Sequence, residues 1–296
     1  MKPATFEYIR PETTRGALDA LASHGDEARV LAGGQSLVPM MNLRLARPAV
    51  LVDITHVQEL RELRVCADAV TIGAGVRQLA VERSADVAAA LPILRQGLAY
   101  VGHAPIRSRG TVCGSVAHAD PLAELPAVVL ALDAVMVAAG PTGRREIAAA
   151  DFFWSYYTTA LEPDELLAEI RIPRPAERWG SAFLEVARRH GDFALAGVAT
   201  LVDVDDDRRI RGVRLALSGV AEVPVRAVEA EGALSGVSLD DGQALRAAAD
   251  AAIRTIDPMS DVHATSEFRR EVAGVLVRRA VALAGERSIE RGGSLR

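Results

Sequence analysis

Apolar residues recur at helical spacing in TTRGALDALASH, residues 13–24, where Ala17, Leu18 and Leu21 share a face and Thr13 or Thr14 can cap the start. ARVLAGG then reads as a short strand over 28–32 that stops at two glycines. SLVPMMNLRLA reads as a turn with a short helix, and AVLVDIT, 49–55, as a second buried strand. This first β/α-like unit ends near residue 55.

ELRVCADAVTIGAGV alternates like strand on either side of the turn ADA. RQLAVERSADVAAALPILRQGLAYV predicts one or two helices broken at Pro92, and TVCGSVAHAD reads as a loop. LAELPAVVLALDAVMVAAG predicts a helix running into a strand. ELLAEIRIP, 165–173, is a further strand, and the prolines after it place a domain boundary near 175–180.

Beyond the boundary, GVATLVDV and IRGVRLALSGV alternate across the turn DDDRR, a strong antiparallel hairpin signal. DGQALRAAADAAIRTI and SEFRREVAGVLVRRAVALAGE carry apolar faces suited to packing on a sheet. The tail RGGSLR reads as frayed. Strands and helices mix without regular alternation, so the class is α+β. The units are 1–55, 56–177 and 178–288, with a flexible tail over 289–296.

Composition narrows the function classes. The chain has 296 residues, 50% of them hydrophobic, enough for two or three domains. A net charge of −5 with mixed signs carries no electrostatic footprint for nucleic acid. The apolar run over 127–139 is interrupted by Asp133 and is too short for a membrane span. The N-terminus lacks the apolar core of a secretory signal, which places the chain in the cytoplasm. Cys66 and Cys113 are too few for a disulfide framework, a zinc ligand set or an iron–sulfur ligand set.

Two loops can carry chemistry. In AGGQS, Ala32, Gly33, Gly34, Gln35 and Ser36, the glycines let backbone N–H groups approach a ligand, and Ser36 adds a hydroxyl. Such a nest suits a pyrophosphate, although Gly-Gly alone reads more readily as an ordinary tight turn. TVCGSVAHADPLAE, 111–124, repeats small polar residues and glycine with Thr111, Gly114 and Ser115. Glu124, past Pro121, can accept from ribose hydroxyls, or sit solvated early in a helix.

Other candidates are weaker. GAGVRQ, 73–78, begins like a dinucleotide fingerprint but has Gln78 at its last position, and reads as a turn into a helix. Six histidines form no metal-ligand spacing. His118 is either near a ligand or a satisfied loop residue, and Cys113 is either a reactive thiol or a small buried side chain. Phe193, before a strand, covers a ligand ring or belongs to the core, and the pattern favours core.

Taken together, the chain resembles the FAD-carrying medium subunit of the molybdenum hydroxylases, the xanthine dehydrogenase and carbon monoxide dehydrogenase group. AGGQSLVPMMNLR and TVCGSVAHADPLAE carry the resemblance, with VGHAPIRSRGT, LLAEIRIP and RRHGDFALAGVA also similar, over residues 3–285. It implies a vanillyl-alcohol oxidase-type fold, with a small N-terminal α/β domain, a central mixed domain and a C-terminal antiparallel sheet with helices. It implies non-covalent FAD, its diphosphate held by Ala32–Ser36 on one side and by Thr111, Gly114 and Ser115 on the other. Glu124 would take the ribose, and Asp192 and Phe193 would lie near the flavin ring. Leu37, Cys113, His118, Asp120 and Leu167 complete the implied cofactor-binding set. No catalytic side chain or metal ligand is implied, because the ring carries the chemistry.

The family has glycine where this chain has Cys113. If that position needs φ > 0, cysteine is strained by ~1–2 kcal/mol. If it needs φ < 0, the only cost is bulk near the phosphate. The resemblance also implies partners: a small subunit with two [2Fe–2S] clusters, a large molybdopterin subunit, a dimer of heterotrimers, and an external acceptor such as a quinone, NAD or oxygen. Two other readings remain open, a self-contained FAD oxidoreductase of the same superfold and a non-catalytic interaction subunit with a decayed FAD site.

Overall fold

The structure is a computed structural model, and it describes residues 2–294. Near the N-terminus, Glu7–Ile9, Val50–Asp53 and Ala28–Leu31 form a parallel three-stranded sheet with Val50–Asp53 in the middle. All four residues of that middle strand are buried, as a central parallel strand requires. The helix Thr14–His24 buries Ala17, Leu18 and Leu21, and the Thr13 hydroxyl accepts from the Gly16 N–H at its start. The strand Glu7–Ile9 was not legible in the sequence; it has three residues and is half exposed at the sheet edge.

The next sheet is antiparallel, with strands in the order Leu63–Val65, Ala69–Gly73, Leu166–Pro173, Val135–Gly140 and Gly143–Ala148. Between its strands run short helices. The expected one or two helices over 77–101 are three, Gln78–Arg83, Ala85–Ala90 and Pro92–Leu98. Pro92 opens the third at a position where its missing N–H costs nothing. Ser84 makes the other break, its hydroxyl accepting from the Val87 N–H.

The segment read as a loop, 111–120, is instead the helix Val112–His118. The Thr111 hydroxyl caps it by accepting from the Gly114 N–H, and Val112, Cys113 and Val116 are buried. Glu124–Ala131 follows as a wholly buried helix.

After Pro173 the chain passes to a four-stranded antiparallel sheet, Gly180–Ala187, Ala194–Val204, Ile210–Ser218 and Val225–Arg226. Val204 pairs with Ile210 across the expected turn. Both faces of this sheet are covered. Phe183, Ala199, Leu201 and Ala216 join the core of the preceding elements. Ala182, Val198, Val202, Leu215 and Leu217 form a second core with the C-terminal helices. Two of those helices are Gly242–Arg254 and Ser266–Ser294.

The last helix corrects a further expectation. A flexible tail was expected from 289, yet the helix continues to Ser294; only 295 and 296 lie outside the described residues. The buried Ser288 hydroxyl accepts from the Val204 N–H, and Arg291 donates to the Trp179 carbonyl. These contacts order a stretch whose glycines suggest fraying.

Candidate functional site

A cleft of about 1750 Å³ runs between the elements just described. All sixteen residues expected at a cofactor line it, from Ala32 to Leu37, then Thr111, Cys113, Gly114 and Ser115, then His118, Asp120 and Glu124, and finally Leu167, Asp192 and Phe193.

The first loop follows the strand Ala28–Leu31 and precedes the short helix Leu37–Asn42. Gly34 has φ of 70°, a conformation that only glycine adopts freely. Gly33 lies against the chain leading into the second loop. A Cβ there would come 2.5 Å from the Arg109 carbonyl oxygen and 2.6 Å from the Gly110 Cα. A Cβ on Gly114 would lie 3.8 Å from that of Ala32. The two loops, some 75 residues apart in the chain, are therefore neighbours. Among the described residues, the amides of Gly33, Gly34, Gln35 and Ser36 find no acceptor. The Ser36 side chain makes no capping bond either.

The second loop opens a helix. The Thr111 hydroxyl and carbonyl already accept from the Gly114 and Ser115 amides, so these groups close the first turn of a helix. The helix lines the cleft along most of its length, with Cys113, Gly114, Ser115, Ala117 and His118 following the capping Thr111.

Cys113 is settled by the same geometry. It sits inside the helix, is absent from the positive-φ residues, and donates its thiol to the Ile72 carbonyl at 3.3 Å. The strain case falls away. Burial pushes the thiol well above its usual range, so Cys113 is a packing residue and not a nucleophile. A decayed site loses its main support.

A further part of the cleft carries buried carboxyl groups. Glu124, at the start of its helix, is only 7% exposed, and burial raises its carboxyl to about 7, with Asp120 adding to the rise. Asp120 is also raised by burial, while its Oδ1 accepts from the Leu122 N–H at 2.9 Å. Glu185 on the neighbouring strand is raised to about 9 by burial and by Glu124. Burial lowers His118, whose ring centre is 5.1 Å from that of Tyr157. At neutral pH this wall is short of full negative charge and can offer carboxylic hydrogen bonds.

Leu167 lines the cleft beside a bulge that shifts the register between Leu167 and Glu169. Phe193 is 66% exposed at the cleft, which overturns the core reading. Gln78 and Tyr157 are among the lining residues that sequence reasoning did not single out. Gln78, set aside with the decoy motif, is buried, donates to the Thr111 carbonyl and leaves its Oε1 without a partner among the described residues. Tyr157, with φ of 54°, donates its N–H to the Ala119 carbonyl. A polar residue at a helix start is a weak signal, and Tyr157 offers none.

A strand–glycine loop–helix unit packed beside the start of a second helix, both lining one large cleft, is an arrangement suited to a nucleotide cofactor. The family comparison makes this specific. Residues 4–175 match the FAD binding domain in molybdopterin dehydrogenase, and residues 181–284 match the CO dehydrogenase flavoprotein C-terminal domain. The chain belongs to this family of FAD-binding medium subunits of molybdenum hydroxylases, which are parts of oxidoreductase complexes.

It is 40% identical over 291 residues to caffeine dehydrogenase subunit beta of Pseudomonas sp. (strain CBB1), covering 98% of each chain. It is 38% identical over 288 residues to the 6-hydroxypseudooxynicotine dehydrogenase complex subunit alpha of Paenarthrobacter nicotinovorans, covering 97% of each. The solved carbon monoxide dehydrogenase of Hydrogenophaga pseudoflava superimposes with a TM-score of 0.94 at 38% identity, over 97% of this chain and 99% of that one. The mixed α/β fold is that of these subunits. No helix among the described residues is long and apolar enough to cross a membrane.

Proposed function

We propose that the cleft holds FAD non-covalently with its diphosphate between the two loops. Gly33 to Ser36 offer free amides, and the start of the Val112–His118 helix lines the same cleft. The carrying observation is the backbone contact of Gly33 with Arg109 and Gly110, which leaves no room for a Cβ. Glu124 takes ribose hydroxyls, Leu167 packs on the ring, and Asp192 and Phe193 border it. Gln35, Leu37, His118 and Asp120 shape the remaining walls.

When bound, FAD supplies the two-electron redox chemistry, and the chain supplies binding, orientation and a wall of buried carboxyl groups. In this reading the subunit receives electrons from the [2Fe–2S] clusters of a small partner. It passes them to an external acceptor such as a quinone, NAD or oxygen. A large molybdopterin subunit oxidises the substrate, and the whole is a cytoplasmic dimer of heterotrimers. The relatives carry names of different compounds at similar identity, which supports placing substrate choice outside this subunit. The units 1–55 and 56–177 would enclose the cofactor in the vanillyl-alcohol oxidase-type manner, with 178–288 closing the ring end.

The test is FAD uptake by the purified chain. Yellow protein that releases its flavin on acid treatment, and rebinds it one to one, is the expected result. Protein that takes up no FAD, alone or with its partner subunits, overturns the reading.

A further inference from the structure

A second cavity, of about 660 Å³, shares Ala32, Gly33, Gly34 and Gln35 of the first loop with the cleft and lies against it, but its charged side chains are different. Three arginines from separate parts of the chain line it, Arg61, Arg77 and Arg109, together with His56 and Thr55. None of these arginines lines the main cleft.

Some arginines elsewhere are matched to carboxylates, as Arg107 is to Glu82, Arg145 to Glu165 and Arg208 to Asp240. Here they are not. Among the described residues, Arg61 and Arg109 find no side-chain partner, and Arg77 donates only to the Arg109 carbonyl. The one carboxylate lining the cavity among the described residues, Asp53, already accepts from the Tyr8 hydroxyl and the Thr55 N–H. Burial, then the charges of Arg61 and Arg109, hold the Arg77 guanidinium below its usual range, against a smaller opposite pull from Asp53. A self-repelling cationic pocket is stabilised by an anion that several guanidiniums can grip at once.

We propose that this pocket is a binding site for a compact phosphate group, held by Arg61, Arg77 and Arg109 and separate from the cofactor cleft. Three guanidiniums in one concavity match a dianion with several acceptor oxygens better than a single carboxylate. The phosphate belongs either to free inorganic phosphate or to a small phosphate monoester.

The protein is first saturated with FAD, which fills the diphosphate position in the cleft. Inorganic phosphate and glycerol 3-phosphate are then titrated calorimetrically in parallel, at ionic strength fixed with chloride. Saturable one-to-one binding is expected, weakened roughly tenfold or more in an Arg61→Ala/Arg109→Ala variant. FAD content should not change and the melting temperature should not fall, since both side chains are exposed and alanine keeps the Arg109 carbonyl that meets Gly33. Tighter binding of the monoester assigns the site to an organic phosphate, and the reverse order assigns it to free phosphate.

The proposal is overturned if no saturable binding occurs, or if the double variant binds equally well. It is equally overturned if phosphate binds only before FAD is added, because the cleft is then the site. Loss of association with an iron–sulfur partner in the variant, without phosphate binding, makes the patch a docking surface and also overturns it. Failure to take up FAD refutes the cofactor reading alone; the same comparison of wild type and variant then still decides the anion site.

Discussion

Replacing Gly33 with alanine probes the closure of the two loops most directly. Gly33 is not among the positive-φ residues, so alanine strains no dihedral there. The obstacle is the Arg109 carbonyl oxygen 2.5 Å from the new Cβ, where ordinary contact begins at 3.4 Å. The backbones must part by about 0.9 Å, and neither is a flexible side-chain tip that can swing away. A hydrogen bond to a charged acceptor contributes about 1.5–3 kcal/mol, and such a displacement degrades one or two of them. The expected loss is about 2–4 kcal/mol, or roughly 30- to 1000-fold in the Kd for FAD. Fluorescence quenching during titration of flavin-free protein measures it. Gly232→Ala is the control, since its Cβ meets nothing within 4 Å, and it should gain about 0.5–1 kcal/mol of helix stability at unchanged affinity. A Gly33→Ala protein that binds FAD within about threefold of wild type would refute the reasoning.

Burial raises Glu124 from 4.5 to about 7 and Glu185 from 4.5 to about 9, so the folded chain holds extra protons across that window. Their contribution to stability is full below about pH 4.5 and is lost as pH rises through 7 and then 9, by on the order of 3 kcal/mol for Glu124 alone. Melting temperatures of FAD-free protein should fall across this range and fall less in Glu124→Gln; a flat wild-type profile contradicts the buried-carboxyl picture. A thiol reagent should label exposed Cys66 and spare Cys113 in the native protein, and mass spectrometry of the peptides reads the outcome. Ser288→Ala leaves the Val204 N–H without its buried partner and should cost about 1–3 kcal/mol, read as a lower denaturant midpoint. No change there would mean that the last helix is not anchored as described.

The parts legible in the sequence were those with local signatures. Periodicity gave Ala17, Leu18 and Leu21 their buried face, and alternation gave the hairpin across 205–209. The helix Val112–His118 was missed because Gly114 and Ser115 weaken its propensity; Thr111 and tertiary packing hold it. The helix after 289 was missed for a similar reason, since its anchors at Ser288 and Arg291 act over long range. The two glycine-bearing loops were visible, but their meeting was not, because contact between Gly33 and Gly110 is a property of packing. Family resemblance supplied that link. The arginine pocket had no such help: Arg61, Arg77 and Arg109 carry no shared motif and meet only in three dimensions.

The sheet with two covered faces has a consequence for handling the protein. Separating the chain into two pieces at the linker between Pro173 and Gly180 would strip Phe183, Ala199, Leu201 and Ala216 of their cover and wet them together. An isolated C-terminal fragment would then present a sticky greasy plate and clump, while its N-terminal counterpart would lose the lid over the helices Pro92–Leu98 and Glu124–Ala131. Each half therefore serves as the other's chaperone, and a nick in that linker should leave the pieces clasped rather than set them free.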